Sequence, residues 1–164
     1  MKGSYSLIIK APEKVEVGAL GLKNFESDYV VYNGSAFGPG GLKRVFRHFS
    51  SDKKIHWHID YLLQKGELEA ALIFPDRDLE CELSDKMDRP VQGFGSSDCN
   101  CNSHLFEFES FESAFRKISG VVSDMKIMDR DRYNKYKKGE AQDSKDKVLR
   151  DLPDAEAYQE SRGL

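Results

Sequence analysis

Three cysteines and four histidines carry the most pointed chemistry in this chain. Cys99-Asn100-Cys101-Asn102-Ser103-His104 forms a C-x-C-x-x-H run, and Cys81 stands upstream of it. Three thiolates and one imidazole make a closed tetrahedral zinc set, which is structural because it leaves no open position for a substrate. The C-x-C bite is tighter than the usual C-x2-C, and reduced thiols in a cytosolic protein need no metal, so a metal-free thiol group is the alternative. A second cluster, His56-Trp57-His58-Ile59-Asp60, offers a His-x-His that on a strand turns both rings to one face as a metal pair. The competing arrangement buries Trp57, Ile59 and Leu62 in the core and hydrogen-bonds His58 to Asp60 in support of a nearby site; that is the one we expect. Arg44 and His48 stand four residues apart, one helical turn, next to a glycine-rich stretch.

That stretch, VYNGSAFGPGGLKRVFRHF at residues 31–49, has the look of a phosphate-cradling loop. It fails as one. A P-loop needs G-x-x-x-x-G-K-[ST], and counting from Gly34 puts Pro39 where the second glycine belongs, while no G-x-G-x-x-G fits Gly38, Gly40 and Gly41. No nucleotide cofactor is therefore expected. What remains is a strand, a turn and a helix N-terminus whose amides favour an anion.

The residues around the glycines say more. Gly3-Ser4-Tyr5 opens the first strand, Tyr32-Asn33-Gly34 closes a later one, and Arg44 and His48 follow. This order resembles the GIY-YIG nuclease superfamily, with Ser4 and Asn33 standing where the two tripeptides usually carry isoleucine. More narrowly it is similar to the small stand-alone Uri-type endonucleases of archaea and bacteria. That branch shows G-x-Y, Y-x-G-S-A-x-G-P-G-G-L, R-H, W-H-I-D-Y-L-L, E-C and G-F-G-S-S-D-C-x-C-x-x-H-L, all present here between Gly3 and Leu105.

The resemblance implies a metal-dependent endonuclease acting on DNA. Glu80 would ligate a divalent cation, Mg2+ or Mn2+, with Glu82 its close competitor; Arg44 would hold the scissile phosphate through its planar fork. Tyr5 and Tyr32 would place hydroxyls beside the attacking water, and His48 would shuttle a proton or bind phosphate, with His58 close to the same phosphate. Cys81, directly after the metal glutamate, would let a zinc site with Cys99, Cys101 and His104 clamp the 93–104 loop onto the catalytic helix. The superfamily often ends its catalytic set with an asparagine; here Ser96, Ser97 or Asp98 stands in that region. Each of these residues also has an ordinary reading, as a packing tyrosine or an exposed helix position.

These groups need elements to hold them. SYSLIIK (4–10) predicts a strand and KVEVGA (14–19) its hairpin partner; DYVVYNGS predicts a third strand. Leu42, Val45, Phe46 and Phe49 make the apolar stripe of a helix whose other face carries Lys43, Arg44, Arg47 and His48. HIDYLLQK predicts a short helix, LEAALIFP a buried strand, and Leu79, Leu83 and Met87 the inner face of another helix with Asp78 as cap. HLFEFE then predicts a strand and SFESAFRKI a helix capped by Ser110. The expected fold class is α/β (α+β), a small mixed or antiparallel sheet of three to five strands flanked by helices, over residues 1–119. Residues 120–164 read as a charged, mobile tail.

Charge narrows the partners. The formal net charge is −3, but residues 1–60 carry nine basic against six acidic residues and residues 61–109 four against eleven. Polyanion binding must then use local basic faces, of which Lys43, Arg44, Arg47, Lys53 and Lys54 are the densest, with further phosphate contacts from residues 130–138. No stretch nears the roughly 20 apolar residues of a membrane span, and an odd cysteine count suits a reducing compartment, so a cytoplasmic protein is expected. Two other readings stay open: a non-catalytic nucleic-acid-binding module with a structural Cys/His zinc site, and a protein-interaction domain presenting the charged tail.

Overall fold

Apolar runs spread from the start of the chain to residue 129 build the sheet. The computed structural model describes residues 1–96, 99–139 and 143–164. Its main sheet has five strands: β1 (Gly3–Lys10), β4 (Tyr29–Ala36), β5 (Glu67–Pro75), β6 (Leu105–Phe108) and β7 (Lys126–Asp129). They lie in the order β6-β4-β1-β5-β7, and every neighbouring pair is antiparallel. The expected hairpin of residues 4–10 with 14–19 does not form. β1 takes β4 and β5 as partners, and β2 (Lys14–Glu16) pairs instead with β3 (Leu22–Asn24) in a separate ribbon. The reason is burial: β1 is covered on both faces and fits the middle of a sheet, whereas β2 buries only Val15.

Side-chain alternation splits the core into two clusters. Tyr5, Leu7 and Ile9 of β1 join Val30 and Ala36 of β4 on one face, under Val45, Phe46 and Phe49 of α1 (Arg44–Phe49) and Ile59 and Leu62 of α2 (His58–Lys65). Ile8 and Val31 face the other way, toward Leu79, Leu83 and Met87 around α3 (Glu80–Asp85) and Phe111, Phe115 and Ile118 of α4 (Phe111–Val121). β5 changes faces midway. Its register shifts opposite Ile8 and Ile9, which pair with Ala70 and Leu68, and the bulged Glu69 lets Leu68 and Ala71 share one face. Ser110 caps α4, accepting from the Ser113 N–H at 3.0 Å, as its sequence predicts.

Past residue 120 the structure differs from the expected tail. β7 lines the free edge of β5, and α5 (Arg130–Lys137), α6 (Lys145–Asp151) and α7 (Ala155–Arg162) follow. Tyr133, Leu149 and Leu152 enter the first cluster, and Met125, Ile127 and Tyr158 the second. Each helix spends one or two apolar side chains on the core, too few to show as periodicity in so charged a sequence. Arg130 donates to the Phe49 and Leu68 carbonyls at 3.0 and 3.1 Å and Arg132 pairs with Asp129 at 2.9 Å, so these two cations hold the fold while Lys135, Lys137 and Lys138 stay exposed.

Candidate active site and metal cluster

The glycine-rich turn delivers α1 but offers no anion seat. Gly40 and Gly41 adopt positive φ and lead into a 3-10 turn, Gly41–Lys43. The N–H groups of Gly41, Leu42 and Lys43 already donate to the Gly38, Met1 and Gly40 carbonyls. Its function is to aim α1. Arg44 donates to the Ser35 carbonyl at 2.6 Å, and its guanidinium lies 4.9 Å from the centre of the Trp57 ring.

His48, expected on the polar face of α1, turns inward and is buried. Its Nε2 shares a 2.7 Å hydrogen bond with the Tyr5 hydroxyl. Burial drives its pKa down to about 3, so the imidazole is neutral at ordinary pH. Burial likewise holds the Tyr5 and Tyr32 phenols above the usual tyrosine range; for Tyr5 the nearby Arg44 opposes the rise and Glu80 adds to it. Tyr5 lies directly over Gly34, where any Cβ would collide with its ring, and Gly95 (φ 71°) closes over the Tyr32 ring. Glycine at these two places is a condition for the tyrosines to reach the cleft.

The other face of the same strands supports α3. Ser4, Ser6 and Asn33 alternate with the tyrosines and are buried. Ser4 Oγ donates to the Arg77 carbonyl at 2.7 Å and accepts at 3.0 Å from the N–H of Leu79, which precedes α3 in place of the expected cap Asp78. Ser6 Oγ donates to Asn33 Oδ1 at 2.7 Å, Asn33 Nδ2 donates to Ser84 Oγ at 3.1 Å, and Ser84 Oγ donates to the Glu80 carbonyl at 2.8 Å. The chain of bonds ends on the residue whose carboxylate reaches the cleft. Ser4 and Asn33 are therefore structural supports of α3.

In the HWHIDYLL block the expected contacts change. His58 begins α2, the short helix expected of HIDYLLQK, so the strand that would pair its ring with His56 does not form; its Nδ1 accepts from the Gly95 N–H at 3.0 Å, and the expected bond to Asp60 is replaced. Asp60 is buried and takes both guanidinium nitrogens of Arg47 at 2.9 Å, plus the His56 and Trp57 N–H groups. The backbone and Arg47 bonds hold its carboxyl below the usual aspartate range, against the cost of burial. Ile59 and Leu62 are core as expected, but Trp57 is 37% exposed at the cleft, with Arg47 4.6 Å from its ring centre. Within the basic cluster Lys53 also has a local task, donating to the Arg47, His48 and Ser50 carbonyls at the end of α1.

One cleft of about 420 Å³ gathers the candidates. Tyr5, Tyr32, Arg44, His48, His58 and Glu80 all line it, and Glu80 is the carboxylate among its described lining residues. Glu82 is exposed and 3.8 Å from Lys86 instead. Trp57 and Ser35 are lining residues that sequence reasoning missed; the exposure of Trp57 has no signature in a block where its neighbours are core. Ser97 and Asp98, two of the three residues that the resemblance offers in place of an asparagine, lie outside the described residues, and the third, Ser96, offers its carbonyl to the Cys99 N–H at 3.4 Å.

Beside the cleft the four predicted zinc ligands meet. The Sγ atoms of Cys81, Cys99 and Cys101 and a ring nitrogen of His104 lie within 4.8 Å of one another, and the cysteines are free of disulfides. His104 Nε2 is 3.2 Å from Cys99 Sγ and 4.0 Å from Cys81 Sγ. Burial, then the neighbouring Cys81 and Cys99 thiols, push the Cys101 thiol up, and burial pushes the His104 imidazole down. Three crowded thiols ionise together only around a cation, and a neutral imidazole is ready to ligate: the cluster can hold a metal ion.

No helix among the described residues is long and apolar enough to cross a membrane. Comparison with curated proteins and with solved structures returns no match. A family model, a domain of unknown function designated DUF123, matches residues 4–127. That span takes in every candidate cleft residue and the whole Cys/His cluster, and the chain belongs to the DUF123 family.

Proposed function

We propose that this protein is a metal-dependent endonuclease of GIY-YIG type, hydrolysing DNA phosphodiester bonds with structural or weak sequence selectivity. The observation that supports this best is the convergence of Tyr5, Tyr32, Arg44, His48, His58 and Glu80 on one cleft. Phosphodiester hydrolysis needs a positioned water, a counter-charge for the phosphate and help for the leaving oxygen. A carboxylate at an open polar cleft, Glu80 among the described lining residues, suits Mg2+ or Mn2+, which bind through one or two carboxylates, waters and substrate oxygens. When bound, such an ion acidifies water and offsets charge on the phosphate.

The protein's own groups do the rest. Arg44, held by Ser35 and stacked near Trp57, presents its fork to a phosphate. His48 stays neutral and fixes the Tyr5 hydroxyl by their 2.7 Å bond, so the phenol orients a water rather than wandering. Tyr32 adds a second hydroxyl and His58, tied at Nδ1 to Gly95, keeps its other nitrogen for the same ligand. Glu80 holds the divalent cation; Cys81, Cys99, Cys101 and His104 hold a structural zinc ion. In this reading the protein works in the cytoplasm, where its thiols stay reduced.

A non-catalytic nucleic-acid-binding module is the second reading, favoured by the exposed Trp57 between two guanidinium contacts and by the metal-holding cluster. Cleavage of a panel of duplex, branched and single-stranded DNA in Mg2+ or Mn2+ decides. Arg44→Ala and Glu80→Gln abolish cutting, while Glu80→Gln still binds. Wild-type protein that binds the panel and cuts none of it overturns the endonuclease reading in favour of the binding module.

A further inference from the structure

His104 stands between two sites and has a nitrogen for each. Its Nε2 points into the cysteine cluster, 3.2 Å from Cys99 Sγ. Its Nδ1, on the other edge of the ring, is buried and makes no hydrogen bond of good geometry; the Gly95 backbone lies close enough to favour a proton on the ring, and Glu80 Oε2 stands 3.8 Å from Nδ1. A neutral imidazole that ligates a metal through one nitrogen must carry its proton on the other. Glu80 and Cys81 are also consecutive, so a metal in the cluster fixes the backbone of the glutamate as well.

We propose that His104 couples the two metal sites: with zinc on Cys81, Cys99, Cys101 and His104 Nε2, the Nδ1–H holds one oxygen of the Glu80 carboxylate and so sets the orientation in which that carboxylate meets the cleft's divalent cation. This rests on the assignment of Glu80 as the ligand of that cation. His104 is then a positioning residue. The carboxylate–histidine–metal arrangement works here in both directions, since the carboxylate fixes the ring for zinc while the zinc-bound ring fixes the carboxylate. Zinc occupancy sets how tightly the cleft takes its cation, and by reciprocity a cation on Glu80 changes the hold on zinc. The 93–104 loop, which carries three of the four cluster ligands, thereby becomes part of the catalytic support.

His104→Cys tests the coupling, because a fourth thiolate keeps the zinc while removing the second nitrogen. Full-length protein is loaded with zinc, its zinc content is measured by elemental analysis, and Mn2+ is titrated in with detection by electron paramagnetic resonance. Wild type should hold one zinc, and zinc-loaded His104→Cys should bind Mn2+ about tenfold more weakly, the lower end of the effect of removing an outer-shell partner. Nitrogen-15 NMR of wild type should show His104 ligated at Nε2 and protonated at Nδ1, with the Nδ1–H resonance shifting in Glu80→Gln.

Unchanged Mn2+ affinity in the zinc-loaded variant overturns the proposal. If the variant loses zinc, the NMR comparison decides, and an Nδ1–H indifferent to Glu80→Gln overturns it. Wild type with less than about half an equivalent of zinc also overturns it. A protein that shows both effects yet cuts no DNA keeps the coupling and refutes the endonuclease reading. One that cuts DNA while Mn2+ affinity ignores His104 refutes the coupling alone.

Discussion

The two faces of β1 and β4 do different work with neighbouring residues. One presents Tyr5 and Tyr32 to the cleft; the other buries Ser4, Ser6 and Asn33 against α3. The first face keeps hydroxyls accessible to a ligand, and the second uses up hydroxyls and an amide in bonds that end at Leu79 and Glu80. Cleft-lining groups and the supports behind them thus come from the same two strands, separated by the pleat. A polar residue between two strand tyrosines is a sign of support, not of weak packing.

Substitutions on the two faces should separate rate from stability. Tyr5→Phe keeps the ring over Gly34 and removes the bond to His48; cleavage should fall by about 10²-fold or more, against a stability loss of about 1 kcal/mol in urea unfolding. Equal losses in both measurements would erase the distinction between the faces. Asn33→Ala, on the supporting face, strands the Ser6 hydroxyl in the core and removes the donor that faces Ser84 Oγ. It should cost about 2–3 kcal/mol of unfolding free energy and lower cleavage only through Glu80.

Acid offers a third separation. The folded-state pKa of His48 lies near 3, below its ordinary value of 6.5, so the unfolded chain binds a proton the folded chain refuses. Stability should fall as pH drops below about 6.5, by about 2 kcal/mol from pH 7 to pH 5 at this site. His48→Gln should flatten that part of the profile; a profile of unchanged slope would mean the ring is not held neutral. The smallest effect belongs to Ser4→Ala, where the Leu79 N–H ahead of α3 loses its acceptor; this should cost about 1 kcal/mol, with Mn2+ affinity weakened and tyrosine accessibility unchanged.

How much of this was legible follows from the range of the interactions. Strands β1, β4, β5 and β6 and helices α1, α2 and α4 carry local period-two or period-3.6 patterns, so their existence is readable. Their pairing is not: β1 chooses partners some 25 and 65 residues away over the adjacent β2, because it needs neighbours on both edges. The C-terminal segment escaped because Tyr133, Leu149, Leu152 and Tyr158 each anchor a charged element singly or in pairs. In the cleft, residue order pointed to the groups that converge, whereas the inward turn of His48, the Arg47–Asp60 pair and the exposure of Trp57 depend on which neighbour folds against them.

The family match stops at residue 127, inside β7, which spans Lys126–Asp129. β7 pairs with residues 70–73 of β5 through its whole length. A chain cut at the end of the match would leave the backbone of β5 bare at an apolar edge, ready to recruit the same strand from another molecule. For work at the bench, the folded core of this protein extends at least through Tyr158, and shortened versions should be watched for self-association by light scattering before any loss of activity is blamed on the cleft.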